Sequence, residues 1–309
     1  MIAVVTVCML ILNVSTVCAN DSLRIAVVDW TQAETLVALD VTPVGVAQKS
    51  DYHAWVRFPS IPESTKDIGL RTQPNVERLL ELEPDKILIS PMFAALEGKL
   101  SHIAPVLNVG LYRNGRVDWP AITAYTKKIA REVDRDAASR VLISEAENTF
   151  DTLRASLSML SPPLLVVQFM DSKHVRVFGD NSLYKVAMNE IGLKNGWEGS
   201  TNAWGFNLIG IDQLLGVNAQ IVVVEPLPQG VERQLNNDAF WQYVIMQSGY
   251  PLLNVEPTWS FGAVPSAVRF ATLISEALIE ENSLALAEER TVQSSRNSKI
   301  NTQKRGGAQ

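Results

Sequence analysis

The sequence predicts an α/β protein of two lobes, each a mainly parallel sheet flanked by helices, joined by one long α-helix with a cleft between the lobes. Three observations carry that expectation. Short β-rich apolar runs alternate with amphipathic segments that open on capping residues, which requires crossovers and parallel pairing. One stretch, Asp134 to Leu160, runs without Gly or Pro. The order of elements before that stretch recurs after it.

The chain has 309 residues, 47% hydrophobic and 19% charged, the balance of an ordinary folded protein. A formal charge of -6 supplies no clustered Lys and Arg for phosphate contacts, so nucleic acid is excluded as a partner.

Residues 1–19, "MIAVVTVCMLILNVSTVCA", have the layout of a secretory signal peptide, with Val17 and Ala19 at the -3 and -1 positions of a cut before Asn20. No Lys or Arg precedes the apolar run, and that run is shorter than the ~20 residues of a spanning helix. Both cysteines, Cys8 and Cys18, lie inside this segment, so cleavage leaves a mature chain without disulfides or thiol chemistry. The expectation is a soluble exported protein.

The N-terminal lobe is expected over 20–133. "LRIAVVDW" reads as its first strand, and "TQAETLVALD" as a helix with Thr31 as N-cap and Glu34 completing a capping box. "VTPVGVAQ" is a second strand, "PNVERLLELEPD" a helix begun by Asn75, and "KILIS" a buried strand. The linking helix is expected over 134–160, with Val141, Ile143, Ala146, Phe150, Leu153 and Leu157 forming its apolar faces and "SPP" stopping it.

The C-terminal lobe, 161–282, repeats the alternation: "LLVVQFM", "VRVFG", a helix from about Ser182, the helix "IDQLLGV" and the strand "QIVVVEPL". "NVERLLELEPDKILISPMFAALEGKL" and "GIDQLLGVNAQIVVVEPLPQGVERQL" echo one another in their order of helix, strand, loop and acidic helix start. The polar tail, 283–309, has the composition of a disordered segment.

No catalytic apparatus is legible. The three His, at 53, 102 and 174, have no metal-ligand spacing, and GxSxG, GxxxxGK and GxGxxG are all missing. What stands out is aromatic residues in turn-rich runs: Trp55 in "DYHAWVRFP", Phe93 in "SPMFAAL", Trp204 and Phe206 in "TNAWGFN", and Trp259 in "EPTWSFGA". Loops at strand ends of open α/β sheets are where ligands bind, so aromatics there in both halves would form opposing walls. Arg71, in "DIGLRTQPN", adds a permanently charged donor for an anionic or oxygen-rich ligand. An ion pair with Asp67 or Glu77 is its competing role.

"DYHAWVRFPSIPESTKDIGLRTQPNVERLLELEPD", "HVRVFGDNSLY", "GWEGSTNAWGFNLIGIDQL" and "VEPTWSFGA" together resemble the periplasmic ferric hydroxamate siderophore-binding proteins of ABC importers. The resemblance extends from about Leu23 to Ala277. It implies a monomeric binding protein with no catalytic residue, no built-in cofactor and no metal ligands, since the siderophore itself satisfies the iron(III) it carries. The hydroxamate-contacting Arg of that family falls on Arg71, its pocket tryptophans on Trp55, Trp204 and Trp259, and its pocket Asn on Asn202. Phe93 stands where the family often has Tyr, Ile89 where it has Trp, and Phe206 where it has Ser. These changes make the wall more apolar and leave Arg71 to carry the contact with the chelate oxygens alone. Acidic residues that dock on the permease correspond to Glu97, one place from the family's site at Gly98, and to Glu232. Binders of haem, cobalamin or a catecholate chelate share the scaffold, and a haem binder would draw on Tyr52 or His53 as axial ligand. A periplasmic enzyme or sensor subunit on this fold is the reading from a different class.

Overall fold

The computed structural model describes residues 23–112, 117–157 and 161–306. The expected signal peptide and both cysteines lie outside the described residues, as do the last three positions of the expected linking helix.

In the first lobe the chain runs β1 (Ile25–Val27), α1 (Trp30–Ala38), β2 (Gly45–Val46), α2 (Lys49–Trp55), β3 (Lys66–Asp67), the hairpin β4 (Gly69–Leu70) and β5 (Gln73–Pro74), α3 (Val76–Glu81), β6 (Lys86–Ile89), α4 (Glu97–Leu100) and β7 (Val106–Asn108). The strands pair in the order β3-β2-β1-β6-β7, all parallel. Ile25, Val27, Ile87 and Leu88 are fully buried, because helices cover both faces of the sheet.

Two helices follow, α5 (Trp119–Glu132) and α6 (Asp136–Ser156), the latter leading into the second lobe. Ile143, Ala146 and Phe150 are buried along one stripe of α6, and Phe150 meets Trp119 edge to face at 5.0 Å. Truncating Phe150 to Ala would cost about 3–5 kcal/mol, the usual range for a buried aromatic. Val141, expected on an apolar face, is 56% exposed: it lies two residues from Ile143, about 200° around the helix.

The second lobe comprises β8 (Leu164–Phe169), β9 (His174–Phe178), α7 (Leu183–Glu190), β10 (Phe206–Gly210), β11 (Gln220–Val224), α8 (Val231–Asn236), α9 (Ala239–Ser248), β12 (Leu253–Val255) and α10 (Val264–Gly306). Its sheet has the order β10-β9-β8-β11-β12, with β9 antiparallel to both neighbours and the other pairings parallel. The alternation expected from sequence is therefore present, with one antiparallel hairpin, β8–β9, that needs no crossover. "IDQLLGV" forms only a single 3-10 turn, Ile211–Leu214.

Two further expectations are corrected. The N-cap of α1 is Asp29, whose side chain accepts from Thr31 N–H, so Thr31 lies inside the helix and its hydroxyl is released for another partner. The polar segment 283–309, expected to be disordered, continues α10 as far as Gly306. No Gly or Pro occurs between Pro265 and Gly306, so nothing local breaks the helix.

A single apolar cluster joins the inner faces of the two sheets to α1, α5, α6, α7 and α10. Separate clusters back the outer face of each sheet. The lobes thus share a core, and relative motion between them must disturb it.

Candidate functional site

Between the lobes lies a cavity of about 410 Å³. Residues that follow β1, β2, β6 and β7 line one side; residues from the end of β8, from β9, from the turn before β10 and from the segment after β12 line the other. The carboxyl ends of the parallel strands β1, β2, β6, β7, β8 and β12 open here, where chain segments diverge and leave a crevice.

The first wall is organised around Arg71. It occupies the turn of the β4–β5 hairpin, and its N–H donates to Gln48 Oε1, while Gln48 Nε2 donates to Asp51. The guanidinium carbon lies 3.7 Å from the centroid of Trp30, 5.5 Å from Trp259 and 5.8 Å from Phe93. Its Nε is buried and has no hydrogen-bond partner among the described residues. Asp67, its competing partner in the sequence, is engaged instead by Gly69 N–H and Lys49 N–H. Burial pulls Arg71 below the ordinary arginine value, opposed by Asp29 and Asp51, yet arginine stays charged. Gln32, fully buried, donates to the carbonyls of Ile89 and Val109 and ties the ends of β6 and β7 together behind this wall.

The second wall is aromatic. In "TNAWGFN", Asn202 Oδ1 accepts from the N–H groups of Trp204 and Phe206, folding a turn that presents Trp204 to the cavity. Gly205 completes it at φ +79°, and a Cβ there would lie 2.5 Å from the backbone of Asn181. Phe261 is the hub: its ring centroid is 5.3 Å from Trp259, 5.6 Å from Trp204, 5.8 Å from Tyr112 and 6.1 Å from Phe206. From β9, Arg176 reaches over Phe206 at 4.9 Å. Burial lowers its value too, countered by the Tyr184 hydroxyl.

The segment 258–263, which carries Trp259 and Phe261, is held from both sides. Thr31 Oγ donates to Phe261 O and accepts from Trp259 Nε1; Tyr112 donates to Gly262 O. From the other lobe Tyr184 donates to Thr258 O. Glu34, fully buried, accepts from Ala263 N–H at 2.5 Å and pairs with Ser266 Oγ at the start of α10. Desolvation raises its carboxyl to about 8, against the lowering effect of those hydrogen bonds.

Residues 25–247 match the profile of the periplasmic binding protein family. The chain belongs to that family. This periplasmic binding protein is 29% identical over 273 residues to the iron(3+)-hydroxamate-binding protein FhuD of Escherichia coli (strain K12), covering 86% of this chain and 90% of that one. To the Fe(3+) dicitrate-binding periplasmic protein FecB of the same organism it is 25% identical, covering 77% and 78%. Among solved structures it is similar to the Fe3+–Desferal-bound siderophore-binding protein FhuD of Vibrio cholerae, with a TM-score of 0.77, 26% identity, and 83% and 98% of the chains covered. The triscatecholate siderophore-binding protein FeuA of Bacillus subtilis shares the fold, with a TM-score of 0.67, 20% identity, and 83% and 92% covered.

Of the residues singled out in the sequence, the fold of this periplasmic binding protein brings Trp55, Arg71, Trp204 and Trp259 to the cavity. Phe93 is buried behind Arg71, Phe206 supports the second wall, and the exposed Asn202 shapes the Trp204 turn; none of the three is a lining residue. Glu97, in the first turn of α4, and Glu232, in that of α8, are exposed, one on each lobe at the echoed positions. Glu97 also accepts from Asn108 Nδ2. Trp30, Phe261, Tyr112 and Arg176 line the cavity without having been singled out. Arg71 is therefore not the only cation, as the sequence had implied. Within "HVRVF" Arg176 has the look of a solvent-facing residue of an amphipathic strand; Val175 and Val177 pack into the outer cluster, so Arg176 takes the inner face, where β10 sets Phe206 beside it.

Proposed function

We propose that this protein captures an iron(III) hydroxamate siderophore between its lobes and delivers it to a membrane-bound ABC importer. The observation that carries the reading is Arg71, its guanidinium over Trp30 among aromatic walls and its Nε without a hydrogen-bond partner among the described residues. A hexadentate hydroxamate fills the coordination sphere of Fe(III) with hard oxygen donors, so what remains to be recognised is the chelate's outer shell. A guanidinium meets the partly negative oxygens, and indole faces cover the organic arms. Burying two or three such faces is compatible with micromolar binding, about -8 kcal/mol. The names of the FhuD relatives support the same ligand class.

The reading makes the protein a carrier without catalytic residues or a resident cofactor, exported, monomeric, and docked on its permease through Glu97 and Glu232. Among the described residues no helix is long and apolar enough to cross a membrane. A haem reading has less support: Tyr52 is fully buried with its hydroxyl donating to Pro59 O, and neither Tyr52 nor His53 lines the cavity.

Four of the seven tryptophans line the cavity, so iron chelates should quench indole emission on binding. The test is a titration of the purified chain with ferrichrome, ferrioxamine B, an iron catecholate and haemin, corrected for their absorbance. Saturable quenching by the two hydroxamates, weakened by Arg71→Ala and by Trp204→Ala, is expected. Quenching by haemin or the catecholate alone would overturn the ligand class.

A further inference from the structure

The aromatic residues of the cleft form a row with a cation at each end. Arg71 lies over Trp30 and Trp259, Trp259 packs on Phe261, and Arg176 lies 4.9 Å from the centroid of Phe206 and 6.0 Å from that of Phe261. The two cations differ in their company. Asp29 and Asp51 both act on Arg71 across the first wall. Arg176 has no such carboxylate: among the described residues nothing forms an ion pair with it or accepts a hydrogen bond from its guanidinium. The Tyr184 hydroxyl favours its charge, and it is already engaged with Thr258 and Ser260.

A half-buried guanidinium with five donors and no acceptor carries a desolvation cost that a ligand can offset. A ferric trihydroxamate cannot do so through charge, since three hydroxamate anions and one Fe(III) sum to zero. A chelate with an ionised carboxylate on one arm can, because a planar fork takes a carboxylate bidentately.

We propose that Arg176 is a specificity-determining residue that selects ferric hydroxamates bearing an ionised carboxylate arm, seated beside Phe261 while Arg71 faces the chelate oxygens. The inference rests on the hydroxamate reading above and narrows it. Register places Arg176 for this role: on β9 it pairs with Gln168, itself a lining residue, and with Leu208 of β10.

The test uses one scaffold at three charges. Ferric desferrioxamine B carries a terminal ammonium; an acetyl cap makes it neutral, and a succinyl cap makes it anionic. Each is titrated against the full chain and against Arg176→Gln, with thermal unfolding of both proteins as a folding control. The expected order for the unchanged protein is succinyl tightest, then acetyl, then free amine. Roughly tenfold or more should separate the extremes, the usual worth of a hydrogen-bonded charge pair. In Arg176→Gln the succinylated chelate should lose the most affinity, about tenfold, and the ranking should vanish. Equal affinities for the three chelates in the unchanged protein, or a ranking that survives in a folded Arg176→Gln, would overturn the inference and leave the hydroxamate reading standing. Equal loss of all three in a folded variant would also overturn it, making Arg176 a general contact. Binding of none by the unchanged protein would remove the hydroxamate reading itself.

Discussion

The guanidinium carbon of Arg71 lies 3.7 Å from the ring centroid of Trp30, and this contact positions the first wall's central cation. An ammonium at that position would keep the charge but lose both the stacking plane and the fork. Arg71→Lys is therefore expected to weaken ferric hydroxamate binding about tenfold, and Arg71→Ala roughly 10–100-fold. Quenching titrations at neutral pH measure this; an Arg71→Lys protein with unchanged affinity would reduce the role of Arg71 to charge alone.

Gly205 holds the Trp204 turn at φ +79° against the backbone of Asn181. An alanine there meets both positive-φ strain and a 2.5 Å approach to main-chain atoms that cannot swing aside. Gly205→Ala should lower stability by about 1–3 kcal/mol. It should also blunt ligand quenching by displacing Trp204. Chemical denaturation and the ligand titration report the two effects separately.

Glu34 makes stability depend on pH. Its carboxyl is raised from 4.5 to about 8 in the folded protein, so the folded state holds the proton more tightly than the unfolded chain. The stabilisation is fully present below about pH 4.5 and is lost as pH rises through about 8, so this residue contributes a falling slope across that window. Protonated Glu34 can donate to Ser266 Oγ while still accepting from Ala263 N–H, which a glutamine can imitate. Urea unfolding at several pH values should show a shallower decline for Glu34→Gln than for the unchanged protein; parallel curves would mean that other groups set the slope.

Glu97 and Glu232 lie on separate lobes, exposed and outside the cavity lining. Replacing both with alanine should leave ligand affinity within about twofold, since surface substitutions of this kind usually change little. Uptake of the chelate in reconstituted importer vesicles should fall by about tenfold or more, as expected when charge pairs at a docking surface are removed. Normal uptake by the double variant would eliminate these two positions as the docking acids.

The Thr31 hydroxyl bridges the lobes by donating to Phe261 O and accepting from Trp259 Nε1. Thr31→Val keeps the shape and leaves two part-buried polar groups short of partners, at a cost of about 1 kcal/mol. Affinity should fall alongside stability, because Trp259 and Phe261 belong to the site. Calorimetric unfolding together with ligand titration checks both.

Much of the molecule was legible in the sequence through local rules. Asn75 caps α3 by accepting from Arg78 N–H, as its place before "VERLLE" foretells, and "KILI" and "QIVVV" form central strands of their sheets because continuous apolar runs need cover on both faces. The echoed segments became α3–β6–α4 in one lobe and a 3-10 turn, β11 and α8 in the other. Trp55, Arg71, Trp204 and Trp259 stood out because large or charged side chains in turn-rich runs need a reason to be there.

What only the tertiary structure decided was which residues meet. Glu34 has the spacing of a capping box, yet it is drawn away to the start of α10, more than 220 residues along the chain, because Asp29 already caps α1. Phe261 becomes the hub of the aromatic wall, and Arg176 faces it, through the pairing of β9 with β10 and the straps on segment 258–263. Periodicity and capping act over a few residues and are written in composition and spacing. The partner of a buried carboxyl or a half-buried guanidinium is chosen by which distant groups the packed lobes leave beside it.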